Sequence, residues 1–291
     1  MASDAVLISN PISGRLRERT QSVARMLDAL RARGVRATLQ MTAAPGDAER
    51  LAREARTAGV GLIIVHGGDG TVNEVLQALV GSGTLLGVWP GGTSNVVSRE
   101  LDLPSGVEKL ADVLAARRIR RVSVGRAGER YFLLMAGVGL DAVLVQRVNP
   151  ALKRLAGEGA YWMAGIGQLT DWHPMRFLVE AEGMQYGATF AVVANSAWYG
   201  GGLHFAPHAN MDDDQLDLCL FDSIKRHQFA RYLVAARTGS HLEMDGVTYV
   251  RVRRAVAQGG GDQFVQVDGE LLGPLPVTFE CVPAALSLVV P

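Results

Sequence analysis

The stretch that most constrains this chain is His66-Gly67-Gly68-Asp69-Gly70-Thr71-Val72-Asn73-Glu74. Residues 60–65 before it form a short apolar run rich in β-branched side chains, which reads as a buried strand. After it, Val72, Val75, Leu76 and Leu79 recur at helical spacing. The arrangement is strand, glycine-rich turn, helix. Glycines at such a turn permit positive φ and let the backbone approach a ligand. The start of the following helix offers unpaired N–H groups and the positive end of a dipole, which suits phosphate. Backbone amides at Gly67, Gly68 and Gly70 can supply that contact without side chains. Asp69 inside the turn is a candidate for magnesium–phosphate binding or proton handling. A plain strand-to-helix turn would use the glycines for geometry alone. The company of Asp69, Thr71, Asn73 and Glu74 in one window favours a ligand.

The same pattern recurs along the first 122 residues. Residues 6–9 read as a strand, closed by Asn10-Pro11-Ile12-Ser13-Gly14. A helix over 17–33 places Val23, Met26, Leu27 and Leu30 on one face and stops at Gly34. Val35, Ala37, Leu39 and Met41 alternate as in a strand, with Thr42 at its end. Asp47 is placed to cap a helix carrying Ala48, Leu51, Ala52 and Ala55. Residues 85–89 make a fourth strand, and Pro90-Gly91-Gly92-Thr93-Ser94-Asn95 a second glycine-rich loop. Helices through Arg99 and Leu101 and over 107–117 follow. Strands alternating with helices predict an α/β domain with a parallel sheet and helices on both faces. Ligands in such sheets bind beyond the carboxyl ends of the strands, where these loops fall.

After residue 122 the texture changes. Strand-like runs at 122–126, 131–136, 176–182, 188–194, 216–221, 247–252, 263–267, 277–282 and 286–290 are separated by Gly, Asn and Asp. Helices are expected over 152–169 and 224–238. This predicts a C-terminal antiparallel β-sandwich over 123–291, after the α/β domain of 1–122.

Composition narrows the function classes. Lys plus Arg and Asp plus Glu both number 29, so no basic signature for nucleic acid exists. The two cysteines, Cys219 and Cys281, form neither a metal pattern nor a disulfide framework, which fits a reducing, cytoplasmic setting. The N-terminus lacks the features of a signal peptide, and the most apolar window, 131–145, falls short of the ~20 residues that span a bilayer. No GxxxxGK[ST] motif is present. His204 and His208 are four apart, but Pro207 between them argues against a helical zinc pair. Asp141 is a carboxylate candidate at the domain joint or on the substrate side.

Taken together, Asn10–Gly14, Gly67–Glu74, Pro90–Asn95, Asp212-Asp213 and Val267-Asp268-Gly269-Glu270 form an ordered series that resembles the diacylglycerol kinase catalytic-domain family. That family includes diacylglycerol kinases, sphingosine kinases and bacterial lipid kinases. The resemblance runs from about residue 5 to the C-terminus. It implies ATP-dependent transfer of the γ-phosphate to a lipid hydroxyl, diacylglycerol before long-chain bases, at a nucleotide site in a cleft between the two domains. By position it implies that Gly67, Gly68, Asp69, Gly70, Thr71, Val72 and Asn73 hold ATP phosphates. Asn10, Thr42 and Thr93 would lie beside the nucleotide, and Glu270 would accept the hydroxyl proton, with Asp69 also in the catalytic set. It further implies a Mg2+ in the β-domain, bound through the Asp213 side chain and the carbonyls of Asn210 and Gln215. Two positions depart from the family pattern. Val96 stands where an Asp is common, and Asp214 stands where the metal loop usually has Gly, which would strain the turn or add a ligand.

A lipid substrate implies a visit to a membrane surface. Basic clusters at Arg117-Arg118 with Arg120-Arg121, at Lys225-Arg226 with Arg231, and at Arg251 with Arg253-Arg254 offer candidates. Exposed apolar residues such as Trp162 or Trp172 would assist docking on the inner leaflet. In a net-neutral chain such clusters are usually solvated faces. The GGDGT loop alone also suits an NAD kinase, which the Asn10–Gly14 loop and Glu270 disfavour. Val96 leaves room for a non-catalytic nucleotide or lipid sensor. The oligomeric state is left open, a homodimer included.

Overall fold

The computed structural model describes residues 4–11, 16–140, 175–222, 226–260 and 263–291. Residues 12–14 of the first loop, Asp141, the helix expected over 152–169, Trp162, Trp172 and Lys225 lie outside the described residues. The chain divides into two compact units. One holds Met1–Val122 and Ala284–Pro291, the other Ser123–Pro283. The last eight residues, read from sequence as part of the second domain, thus belong with the first.

The first unit alternates strands and helices: β1 (Ala5–Ser9), α1 (Leu16–Ala32), β2 (Ala37–Met41), α2 (Asp47–Thr57), β3 (Leu62–Gly67), α3 (Asp69–Leu79), β4 (Leu85–Pro90), α4 (Val96–Glu100) and α5 (Val107–Ala116). The strands run parallel in the order β2-β1-β3-β4. The chain's end adds a parallel partner to β4, with Ser287 opposite Leu85 and Leu288 opposite Leu86. Because successive strand side chains point to opposite faces, β1 and β3 bury both of theirs. Ala5, Leu7, Leu62 and Ile64 join Met26 and Leu30 of α1 and Leu110 and Leu114 of α5 in one core. Val6, Ile8, Ile63 and Val65 are buried on the opposite side, and α2 and α3 pack together against β1 and β3. β2 is different. Its alternating Leu39 and Met41 are exposed, so the period-two pattern located the strand but not its buried face.

The second unit starts within β5 (Arg118–Ala127). It continues with β6 (Arg130–Phe132), β7 (Met135–Gly139), β8 (Phe177–Ala181), β9 (Met184–Ala188), β10 (Phe190–Ala194), β11 (Leu216–Phe221), α6 (Arg226–Ala236), β12 (Val247–Val252), β13 (Arg254–Gln258), β14 (Phe264–Val267), β15 (Glu270–Pro274) and β16 (Val277–Val290). One antiparallel sheet has the order β12-β11-β10-β7-β14-β15. In the other, β13 lies between β8 and the first part of β16, and β9 pairs with β8. Phe132, Phe177 and Phe279 from this side meet Val138, Val193, Leu218 and Val265 of the six-stranded sheet in one core. This is the expected antiparallel sandwich.

One carboxylate fixes an important corner of it. Sequence periodicity predicts a single strand over 131–136, but the chain breaks at Leu133-Leu134. There Asp268 Oδ2 accepts the Leu133 N–H at 2.8 Å, and its Oδ1 accepts those of Leu134 and Met135, each at 3.0 Å. From the other side, Asn195 Nδ2 donates to the carbonyls of Leu133 at 2.8 Å and Ser123 at 2.9 Å. Asp268 itself sits at φ 46° and Gly269 at φ 88°, a hairpin turn of the type that requires two left-handed residues. Val267 and Glu270 face each other across it.

Asp268→Ala deprives three amides of a charged acceptor and places Ala in a left-handed conformation. We expect a loss of about 3 kcal/mol or more in urea unfolding. Asp268→Asn keeps one acceptor oxygen and tolerates positive φ, so its loss should be clearly smaller. Equal losses in the two variants would contradict this account of the corner.

Candidate active site

The carboxyl edge of the parallel sheet gathers the predicted nucleotide residues. The Asn10 amide donates to His66 O at 2.9 Å, the Thr42 amide to Ser9 O at 3.0 Å, and the Gly91 amide to Gly67 O at 2.8 Å. The ends of β1, β2, β3 and β4 are thereby tied side by side. Asn10 Nδ2 also donates to Thr71 Oγ1 at 3.2 Å, linking the first loop to the start of α3.

The two glycine-rich loops lie against each other. A Cβ on Gly92 would come within 2.6 Å of the Gly68 Cα, and one on Gly67 within 2.6 Å of Thr71 Oγ1. Neither Gly67 nor Gly68 has positive φ. The expectation of left-handed backbone at these positions is therefore corrected: at Gly67 the Thr71 side chain leaves no room for a Cβ, and at Gly68 a Cβ would rest 3.5 Å from the Gly92 Cα. Asn95, at φ 47°, closes the second loop by accepting the Gly92 amide and donating to the Gly92 carbonyl, each at 2.9 Å.

Asp69 joins the loops electrostatically. Its Oδ2 accepts the Val96 N–H at 3.2 Å and its Oδ1 accepts the Val97 N–H at 3.1 Å. A carboxylate at these amides opposes the partial positive charge of the α4 N-terminus. What faces the open edge beside it is backbone: the first turn of α3, whose leading amides have no partner within the helix, and the Gly91–Thr93 segment. Thr93 is exposed and Thr42 is buried. Val72 and Asn73 are buried inside α3, and Asn73 Oδ1 accepts from Gln77 Nε2 at 3.1 Å. Their side chains serve the helix. Val96 is buried too, so the position where relatives often carry a carboxylate here fills the core.

Two contributors, Glu74 and His66, were not assigned a role from sequence. Glu74 Oε2 accepts the Ala48 N–H at 3.0 Å, so the last residue of the motif caps α2. Asp47, expected to do so, instead accepts the amides of Ala43 and Ala44 at 2.8 and 3.0 Å, while Gly46 precedes the helix. His66 stacks on Trp89 with ring centroids 3.8 Å apart, under Gly91, where a Cβ would meet its ring at 2.9 Å. A histidine before GGDG signals a flat, buried partner, not a proton carrier.

In the second unit, Glu270 opens β15 directly after the hairpin turn. Its side chain is 43% exposed, and Oε2 accepts from Arg130 Nη2 at 2.9 Å.

The loop expected to hold a metal is engaged otherwise. Asp213 Oδ1 accepts the Gln215 N–H at 3.0 Å, and Oδ2 pairs with Arg251. The Asn210 carbonyl accepts the Asp213 N–H at 3.3 Å, and the Asp213 carbonyl accepts Ser123 Oγ at 2.5 Å. Asp214 has no positive φ, so the strain expected from replacing glycine does not arise. It pairs with Arg253, whose guanidinium holds the Asp214 carboxyl below the usual carboxylate range. Asp217 is fully buried; burial pushes its carboxyl above the usual range, partly offset by a 2.7 Å hydrogen bond from the Tyr249 hydroxyl. The donor set does not fit a divalent cation as it stands.

Residues 4–127 match the diacylglycerol kinase catalytic domain, and residues 135–290 match the YegS C-terminal NAD kinase beta sandwich-like domain. The chain belongs to the diacylglycerol kinase catalytic-domain family. Members of this family are lipid kinases, and this chain is an enzyme of the kinase class. A Mycobacterium tuberculosis diacylglycerol kinase is 30% identical over 98% of this chain and 94% of its own length. A Bacillus subtilis diacylglycerol kinase is 29% identical over 99% of this chain and 96% of its own. A crystal structure of a Bacillus anthracis chain assigned to the diacylglycerol kinases superposes with a TM-score of 0.85 at 25% identity, covering 99% of this chain and 95% of that one.

Asp69→Ala removes the side-chain link between the α3 turn and the α4 amides. We expect a stability loss of about 1–3 kcal/mol and faster hydrogen exchange at Val96 and Val97. Unchanged exchange at those two amides would show that Asp69 does not hold the second loop.

Proposed function

We propose that this kinase transfers the γ-phosphate of ATP to a lipid hydroxyl, with diacylglycerol the first candidate and long-chain bases the second. The observation that carries the reading is the pair of glycine loops locked together at the carboxyl edge of the parallel sheet. A Cβ at Gly67, Gly91 or Gly92 would collide with neighbouring atoms, and the leading amides of α3 beside them have no partner within the helix. Phosphoryl transfer needs positioning and charge stabilisation more than covalent help, and oriented amides provide both. The names of the relatives support the choice of lipid.

In this reading the amides of Gly68, Gly70 and Thr93 hold the phosphates, and Asn10, Thr42 and Thr71 border them. Asp69 sets the spacing of the two loops, and the magnesium that accompanies ATP would neutralise phosphate charge. Glu270 takes the proton from the lipid hydroxyl as that oxygen bonds to the γ-phosphorus, and ADP leaves with the electrons of the broken bond. Arg130 fixes the Glu270 carboxylate in place.

The substrate sits at a membrane surface, which this chain reaches from the side. Among the described residues no helix is long and apolar enough to cross a membrane. Arg118 and Ile119 are exposed together on β5, the latter by 55%, and suit docking onto anionic lipid.

Labelled ATP, magnesium and diacylglycerol, presented in vesicles with and without anionic lipid, test the reading. Label should enter the lipid, faster on anionic vesicles. Glu270→Gln should lower kcat by roughly 10²–10⁴-fold, with the KM for ATP nearly unchanged. Full turnover by Glu270→Gln would remove that residue from the chemistry. Transfer to NAD and not to lipid would replace the lipid reading, and no dependence on anionic lipid would remove the docking surface.

A further inference from the structure

The loop that the family resemblance marks for a structural divalent cation is, in this chain, already supplied with positive charge by two arginines. Asp212, Asp213, Asp214 and Asp217 crowd one short stretch. Such a concentration of carboxylates needs neutralising before the strands around it can close. Arg251, in β12, pairs with Asp213 Oδ2 and lies 3.9 Å from Asp217 Oδ1. Arg253, just beyond β12, donates through Nε to Asp214 Oδ2 at 3.1 Å. Two guanidinium groups carry the charge of one divalent cation.

The remaining donors point the same way. Magnesium demands near-ideal octahedral oxygen geometry at ~2.1 Å, and calcium six to eight oxygens. Of the three expected ligands, Asp213 has one oxygen on an amide and the other on a guanidinium, and the Asn210 carbonyl is turned inward onto the Asp213 amide. The Asn210 side chain accepts the Asp212 amide at 3.0 Å, which tightens the same turn. A cation entering here would have to displace Arg251 and then sit beside its charge, and like charges at such separations repel strongly. Asp214, in place of the usual glycine, supplies the second arginine with its partner.

We propose that Arg251 and Arg253 replace the divalent cation of this loop, so that residues 210–215 are closed by an internal guanidinium pair and bind no metal. The β-domain of this chain then folds and holds its shape independently of magnesium or calcium, unlike a loop that waits for a cation.

The test uses the whole chain without nucleotide. Its Tm is measured in EDTA and in millimolar Mg2+ or Ca2+, and Mn2+ binding is followed by electron paramagnetic resonance. We expect the wild-type Tm to move by less than ~1 °C, where a site occupied a hundredfold above its Kd would raise it by roughly 5 °C or more. Arg251→Met combined with Arg253→Met should lower the Tm in EDTA and recover several degrees when Mg2+ or Ca2+ is added, because the freed carboxylates then need a cation. If that double variant does not fold, the wild-type Mn2+ measurement decides alone. No bound Mn2+, or bound Mn2+ that Asp213→Asn leaves unaltered, supports the arginine pair. Bound Mn2+, or a Mg2+-dependent rise in Tm, that Asp213→Asn abolishes would overturn it.

Discussion

The first unit depends on a carboxylate that spends both of its oxygens on backbone. Asp69 leaves the first turn of α3 and grips the Val96 and Val97 amides at the start of α4. That grip adds a charged tie to the backbone bond from Gly91 to Gly67 that already joins the two glycine-rich loops. With it, and with Gly68 and Gly92 in backbone contact, they become one surface of amides at the end of a parallel sheet. The surrounding bonds follow the same logic: Asn10 to Thr71, Gly91 to Gly67, Asn95 across the second loop. Most polar side chains of the motif thus bond to the protein's own loops and helices.

The second unit repeats this use of aspartate. Asp268 gathers three amides of the Leu133–Met135 segment and occupies a left-handed turn position that few residues tolerate. The turn it makes with Gly269 delivers Glu270 at the head of β15, where Arg130 meets it. In both the GGDG and DGE elements, then, the aspartate organises backbone. The glutamate two residues after Asp268 is the one proposed for proton transfer. The acidic loop at 210–215 shows a third outcome, in which arginines from the same unit answer the carboxylates.

Much of this was legible in the sequence. Period-two and period-3.6 patterns located the parallel sheet and the main helices of the first unit, because β1 and β3 bury both faces and the helices one. The motif series located the two glycine-rich loops at the sheet edge and the hairpin before Glu270. What sequence did not show came from contacts between distant residues. Asp69 looked like a metal ligand because nothing local reveals that Val96 and Val97 amides lie against it. The glycines suggested positive φ, whereas steric crowding by Thr71 and by the opposite loop is what excludes side chains. Strands β9, β13 and β15 were not expected; each is short and carries polar residues or glycine that blur alternation. The metal loop was misleading because its arginines lie some forty residues further on.

The central claim is that the Asp69-tied pair of loops holds the phosphates through backbone amides. The most direct measurement follows the amide resonances of the isotopically labelled chain while ATP and magnesium are titrated in. The account predicts saturable shifts concentrated at Gly68, Gly70 and Thr93, lost in Asp69→Ala at the Thr93 position. Saturable ATP binding that leaves these three amides unmoved, with shifts elsewhere in the chain, would contradict it.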